Sequence, residues 1–139
     1  MKITSLRTVK VDIPLAKPIR TAIHDIRSVG CVVTFLDTDA KLTGEGYLFT
    51  MNAARLDVME PMVRSLERHV LGRDPHEVEA IWADMKRDVN FIGWAGVTVF
   101  AMSTVDVACW DLVGKAAGEP LYRQFGAWQA CILPGTVDL

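Results

Sequence analysis

The stretch VDVACWDLVGKAAGEPLYRQFGA, Val105 to Ala127, decides the fold. Together with the residues just before it, it carries Phe100, Ala101, Thr104, Val105, Ala108 and Leu112 at three- and four-residue steps. That is the period of a helix face, and it predicts one long helix from about Val97 to Ala117. Ala101, Ser103 and Ala108 are small enough to let a neighbouring element approach closely. Gly118 supplies a left-handed C-terminal cap, and Pro120 opens a short helix through about Phe125. The charges of this stretch divide by spacing. Asp106 and Asp111, five apart, point about 140° away from each other and cannot form one carboxylate pair. Asp111 and Lys115, four apart with the acid first, form the favourable helical ion pair, worth a few tenths of a kcal/mol. Asp106 lies among Val105, Val107 and Ala108, where a carboxylate needs a partner; backbone N–H groups of another segment are expected to provide it.

Working back from this helix, the period changes. Ile3, Val9, Val11 and Ile13 alternate with Thr4, Thr8, Lys10 and Asp12, the pattern of a half-buried strand ending near Pro14. LAKPIRTAIHDIR, Leu15 to Arg27, is too polar and Pro-interrupted for a strand interior and reads as a loop. SVGCVVTFLDTDAKLTGEGYLF reads as a hairpin, with Val29, Cys31, Val33 and Phe35 on one face and a turn at Asp37 to Ala40. From Asn52 onward Leu56, Met59, Met62, Val63, Leu66 and Val70 share a helical face closed by Gly72, with a kink or a division expected at Pro61. Asp74, Pro75 and Glu77 mark the start of the next helix, close to a capping box, with Val78, Ile81, Trp82 and Met85 as its buried stripe. Sheet first and helices afterwards give an α+β fold, a three-stranded antiparallel sheet followed by a helical bundle.

Composition narrows the function. The chain has 139 residues and a formal net charge of −2, so no basic face points to nucleic acid or to an anionic membrane. The N-terminus lacks the uninterrupted apolar core of a signal peptide, and no apolar run approaches the ~20 residues of a membrane span. Cys31, Cys109 and Cys131 show no CxxC spacing and read as reduced thiols of a cytoplasmic protein.

Several chemistries are excluded by spacing. His24, His69 and His76 pair with no Cys or His at metal-ligand spacing. His76-Glu77-Val78-Glu79-Ala80 begins like a zinc-protease helix but has Ala where the second histidine belongs. Gly44-Glu45-Gly46 follows a strand without the third glycine or the Lys-Ser/Thr of a phosphate loop, so close backbone packing is its expected role. No GxSxG marks an activated serine. Cys31 and Cys109 sit in apolar surroundings, where a thiol behaves as a small hydrophobe. Two stretches remain as candidates for a pocket wall: the loop Pro18 to Arg27, with Ile19, Ile23 and Ile26 beside Thr21 and His24, and the turn Tyr47 to Asn52.

The pattern D-x-A-x-W-D-x-x-G-K-x-x-G-x-P-L, carried by Asp106, Ala108, Trp110, Asp111, Gly114, Lys115, Gly118, Pro120 and Leu121, resembles the end of the N-terminal capping domain of the enolase superfamily. The branch it resembles is that of mandelate racemase and muconate lactonizing enzyme. P-L-A-x-P at Pro14 to Pro18 and G-x-x-Y-L-F at Gly44 to Phe49 extend the resemblance, which covers about residues 1–127.

The resemblance implies a domain that does no chemistry itself and covers a (β/α) barrel. In such enzymes the barrel carries the acid–base residues and three carboxylates for Mg²⁺, and a proton is removed α to the carboxylate of a small acid or sugar acid. Two loops of the cap close over the substrate. By this resemblance Ile19, Thr21, Ile23 and Ile26 in the first loop, and Tyr47 in the second, are the substrate-facing positions. No catalytic residue and no metal ligand is expected in this chain, which lacks a K-x-K pair and a series of strand-end acids. The tail 128–139, WQACILPGTVDL, reads either as the first barrel strand or as a non-native end. A cap without its barrel exposes apolar surface, so a homo-oligomer is expected. The alternative reading is a free-standing binding or self-assembly module without catalysis.

Overall fold

The computed structural model describes residues 1–126; the tail 128–139 discussed above lies outside the described residues. Strands β1 (Ile3–Arg20), β2 (Asp25–Thr38) and β3 (Thr43–Met51) form an antiparallel sheet in the order β1-β2-β3. Helices α1 (Leu56–Ser65), α2 (Val78–Asp88), α3 (Val97–Ala117) and α4 (Leu121–Gln124) follow, with short 3₁₀ turns at Glu67–His69 and Pro75–Glu77. This is the expected α+β arrangement of a three-stranded sheet followed by helices.

The first hairpin is longer than the sequence pattern implies. β1 does not end near Pro14; pairing lapses between Pro14 and Ile19 and then resumes with Ile19 opposite Ile26 and Arg20 opposite Asp25. Pro14 and Pro18 fall at this interruption of an edge strand, where proline is tolerated. The expected loop thus shrinks to a tip at residues 21–24, closed by Thr21 Oγ1 accepting the His24 N–H at 2.9 Å.

The two faces of the sheet are assigned by a shift early in β1, between Ile3 and Ser5. It puts Ile3 and Leu6 in the core and turns Val9, Val11 and Ile13 to the opposite side. In β2 the core face is Val32, Thr34 and Leu36, all fully buried, so Val29, Cys31, Val33 and Phe35 share the outer face. Three cross-strand rows of that outer face are apolar throughout: Val9–Val33–Tyr47, Val11–Cys31–Phe49 and Ile13–Val29–Met51.

The helices cover the other face. Thr8 Oγ1 donates to Glu60 at 2.8 Å and Lys10 pairs with Asp57, tying β1 to α1. Pro61 does not divide α1, which runs through it from Leu56 to Ser65. It lies on the exposed side, where the Asp57 carbonyl left without its N–H can turn to water, and the helix stops at Leu66 instead. Asp74 caps the Pro75 turn by accepting the His76 N–H at 3.0 Å, but Glu77 pairs with Arg73 at 2.6 Å rather than completing a capping box. Val78, Ile81 and Met85 are buried as expected.

α3 ends at Gly118 with φ 65°, the left-handed cap the sequence predicts. Its buried side is Ala101, Met102, Thr104, Val105, Ala108, Cys109 and Leu112, while Phe100 faces outward. By length and composition α3 is apolar enough to cross a membrane, but half of its most apolar window is buried against the sheet and its neighbouring helices. A β-carbon on Gly44 or Gly46 would collide with the α3 backbone at Ala108 and Thr104 respectively, which is why glycine stands at both. Thr104 Oγ1 donates to Thr34 Oγ1 at 3.1 Å, a buried polar contact that fixes α3 on β2.

Candidate functional site

At the far end of the sheet, the hairpin tip at residues 21–24 stands beside the turn that leads from β3 into α1. Asn52, Ala53 and Arg55 adopt φ of 55°, 50° and 63°, left-handed values that cost a non-glycine residue about 1 kcal/mol or more each. The chain holds them there in two ways. The Asn52 N–H donates to Ser28 O at 2.8 Å. The Asn52 amide then bridges to the first hairpin: Oδ1 accepts from Arg27 N at 2.7 Å and Ser28 N at 3.3 Å, and Nδ2 donates to Asp25 O at 2.9 Å. Ala53 packs directly on Gly30, where a β-carbon would leave it no room. One asparagine therefore staples the two loops together.

Between them opens a cleft of about 410 Å³ lined by His24, Thr50, Met51, Asn52, Ala54, Arg55 and Met59. Arg55 has no ion-pair partner among the described residues. The Thr50 hydroxyl and the Asp25 Oδ1 atom are buried without a hydrogen-bond partner. A guanidinium, an imidazole and an unsatisfied hydroxyl around an apolar Met51 and Met59 suit a small ligand that brings an anionic and a polar group.

The residues singled out from sequence fall in three places. Ile23 is 82% exposed at the hairpin tip, and Thr21 closes that tip. Ile19 and Ile26 are cross-strand partners just behind it, Ile19 exposed and Ile26 buried. Tyr47 is elsewhere: it lies in the middle of β3 on the outer face, opposite Val33 and beside Val107 of α3. The expectation that Tyr47 shares the turn after β3 is corrected here, because β3 continues four residues further, to Met51. Arg55 was missed, and Asn52 was singled out only as the last residue of a candidate turn. The signal available was the run Asn-Ala-Ala-Arg between strand and helix, since asparagine accepts left-handed φ more readily than most residues.

Asp106 is also corrected. It has no hydrogen-bond or ion-pair partner among the described residues; it is half-buried on α3, sharing a small cleft with Glu79, Trp82 and Trp110. Burial first, and the neighbouring Glu79 carboxylate second, raise its pKa. The anchoring role belongs to Asp111, whose Oδ2 accepts the Glu45 N–H at 2.8 Å and pairs with Lys115 at 2.7 Å. Cys109 is fully buried, and its thiol is pushed up to about 12, by burial first and then by Asp106, so it is no nucleophile at neutral pH. No group of three or more His, Cys, Asp or Glu side chains converges among the described residues, so they offer no donor set for a metal.

A three-stranded antiparallel sheet carrying its helices on one face, with two loops stapled at one end, defines a capping-domain fold. The chain belongs to the mandelate racemase / muconate lactonizing enzyme family: the sequence model of that family's N-terminal domain matches residues 3–126. A 3,6-anhydro-alpha-L-galactonate cycloisomerase of Streptomyces coelicolor is 31% identical over 140 residues, covering 99% of this chain and 39% of that protein. A cis-3-hydroxy-L-proline dehydratase of Roseibium aggregatum is 32% identical over 132 residues, 91% of this chain and 34% of that one. The crystal structure of a racemase from Streptomyces coelicolor with bound magnesium superimposes with a TM-score of 0.84 at 31% identity, covering 89% of this chain and 35% of that chain. The chain thus spans well under half the length of these relatives.

Proposed function

We propose that this chain is the substrate-capping, specificity-setting domain of a Mg²⁺-dependent enzyme that removes a proton α to the carboxylate of a small acid, as a racemase or a sugar-acid dehydratase. The observation that carries the reading is the cleft at the stapled loops, where Arg55 and His24 flank the unsatisfied Thr50 hydroxyl. Those groups match a carboxylate and a hydroxyl of one small ligand, and the relatives above are a 3,6-anhydro-alpha-L-galactonate cycloisomerase and a cis-3-hydroxy-L-proline dehydratase, both acting on small acids. The described residues do not fit a Mg²⁺ site, so in this reading the ion and the base that takes the α-proton reside in another domain. What this domain supplies is orientation and exclusion of water.

The test is titration of the chain with a C6 aldonate, followed by NMR. Shifts confined to residues 21–27 and 50–59, and lost in Arg55→Ala, support the assignment; shifts elsewhere or none up to tens of millimolar overturn it. α-Deuterium uptake by the aldonate above the buffer rate, catalysed by this chain alone, overturns the division of labour.

A further inference from the structure

We propose that the cleft between α2 and α3 at Glu79, Trp82, Asp106 and Trp110 is the docking site for an arginine side chain presented by another polypeptide segment. Two helical spacings build it. Glu79 and Trp82 are three apart on α2, and Asp106 and Trp110 are four apart on α3, the steps that set side chains side by side on one helix face. Because α2 packs on α3, the two pairs meet across a cleft of about 210 Å³. Both indoles are only partly buried, and Phe125 packs T-shaped on Trp110 at 4.9 Å between ring centroids, which holds that ring in place. The cleft shares no residue with the one at the stapled loops, so its reading is independent of the function proposed there.

Two separate features call for the same ligand. The faces of the indoles attract a cation, and the only charged groups lining the cleft are the two carboxylates. Neither Glu79 nor Asp106 has an ion-pair partner among the described residues. Cations close by in the chain are already engaged: Arg73 is held by Glu77 at 2.6 Å and by Asp84 at 2.8 Å, and Lys86 lies over the Trp94 ring at 4.3 Å. Burial and the Glu79 carboxylate raise the pKa of Asp106, as befits a carboxylate whose counter-charge has yet to arrive. Size and shape then choose among cations. A volume of about 210 Å³ is below the ~300 Å³ at which small-molecule sites begin, so it suits one head group on an apolar stem rather than a whole ligand. Flat indoles beside carboxylates suit a planar guanidinium, which stacks on aromatic faces and donates two parallel N–H bonds to one carboxylate, whereas an ammonium is only a point charge.

NMR titration of the purified 139-residue chain with Nα-acetyl-arginine methylamide tests this. The indole N–H resonances of Trp82 and Trp110 are expected to shift saturably within tens of millimolar, while that of Trp94 stays in place. The citrulline analogue, of the same shape without the charge, is expected to bind at least fivefold more weakly, and the lysine analogue at least twofold more weakly. Asp106→Asn and Glu79→Gln preserve side-chain size, and each is expected to weaken arginine binding at least threefold in a chain that circular dichroism shows to be folded. Indoles that do not respond, citrulline or lysine bound as tightly as arginine, or binding unchanged in both variants each overturns the proposal. Methylguanidinium bound as tightly as the capped arginine overturns the side-chain assignment, because the stem then contributes no contact.

Discussion

Asp111 Oδ2 accepts the backbone N–H of Glu45 at 2.8 Å, linking residues 66 apart in sequence. Lys115, held by Asp111 at 2.7 Å, donates in turn to Thr43 O at 2.8 Å. One helical turn of α3 thereby satisfies two backbone groups on the open edge of β3. The helical ion pair legible in the sequence is only half of its role.

Removing the acceptor should therefore cost more than a surface ion pair does. Asp111→Ala is expected to lose about 1–2 kcal/mol in urea unfolding, because Glu45 N–H and Lys115 both lose their partner. Lys115→Ala should lose less than half of that. Equal losses would mean the strand-edge contact contributes nothing beyond the ion pair.

Gly46 and Thr104 make a sharper case. A β-carbon at Gly46 would drive into the Thr104 carbonyl, and backbone atoms cannot move aside as a flexible side chain can. Gly46→Ala is expected to destabilise by about 1–3 kcal/mol or more, read by thermal or urea unfolding. A neutral result would show that α3 stands further from β3.

The Asn52 staple separates strain from hydrogen bonding. Asn52→Gly keeps the left-handed φ but loses the bonds to Arg27, Ser28 and Asp25; Asn52→Ala loses both. Amide hydrogen exchange at residues 25–28 should accelerate at least tenfold in both variants. Stability should fall further in the alanine variant, by about 1 kcal/mol. Unchanged exchange would leave the two loops uncoupled.

Two aspartates give opposite pH dependences. Arg7 first, then Ser5 and Thr43, hold the Asp37 carboxyl far below its usual range, against the opposing effect of burial. Its stabilising contribution is fully present above the ordinary carboxylate pKa of about 3.9 and is lost as pH falls below that value. Asp37→Asn should flatten the acid limb of a Tm-against-pH profile. For Asp106, burial and Glu79 raise the folded-state pKa, so the charged form is disfavoured in the fold and its cost appears as pH rises above about 3.9. Asp106→Asn should raise Tm at pH 7, and the gain should vanish on acidification. A loss of stability would restore the anchoring role expected from sequence.

Periodicity and capping were enough to place α2, α3 and α4 to within a few residues, whereas α1 ends at Ser65, short of the expected face through Val70. Gly118 and Asp74 act where their chemistry requires, and Gly44 and Gly46 serve close backbone packing. These are local matters, settled by φ, by hydrogen bonds over two or three residues, or by the absence of a β-carbon. Family membership was legible for the same reason, since its pattern lies within one helix and its cap.

The faces and the site were not local. Alternation put Val9, Val11 and Ile13 on one face of β1 and Val29, Cys31, Val33 and Phe35 on one face of β2, but both sides of the sheet are apolar. Only the shift near Thr4 and the position of α3 decide which one is core. The length of the first hairpin depended on β1 being an edge strand, where Pro14 and Pro18 accompany a lapse in pairing without ending it. Asp106 looked like an anchor because its sequence neighbours are apolar; Asp111 is the anchor because β3 runs past it. The cleft exists because Asn52 reaches across to Arg27, 25 residues away. Sequence determined the elements and the family by short-range conformational energy. Tertiary structure decided which faces are buried and which loops meet, because those depend on contacts between residues that the chain holds far apart.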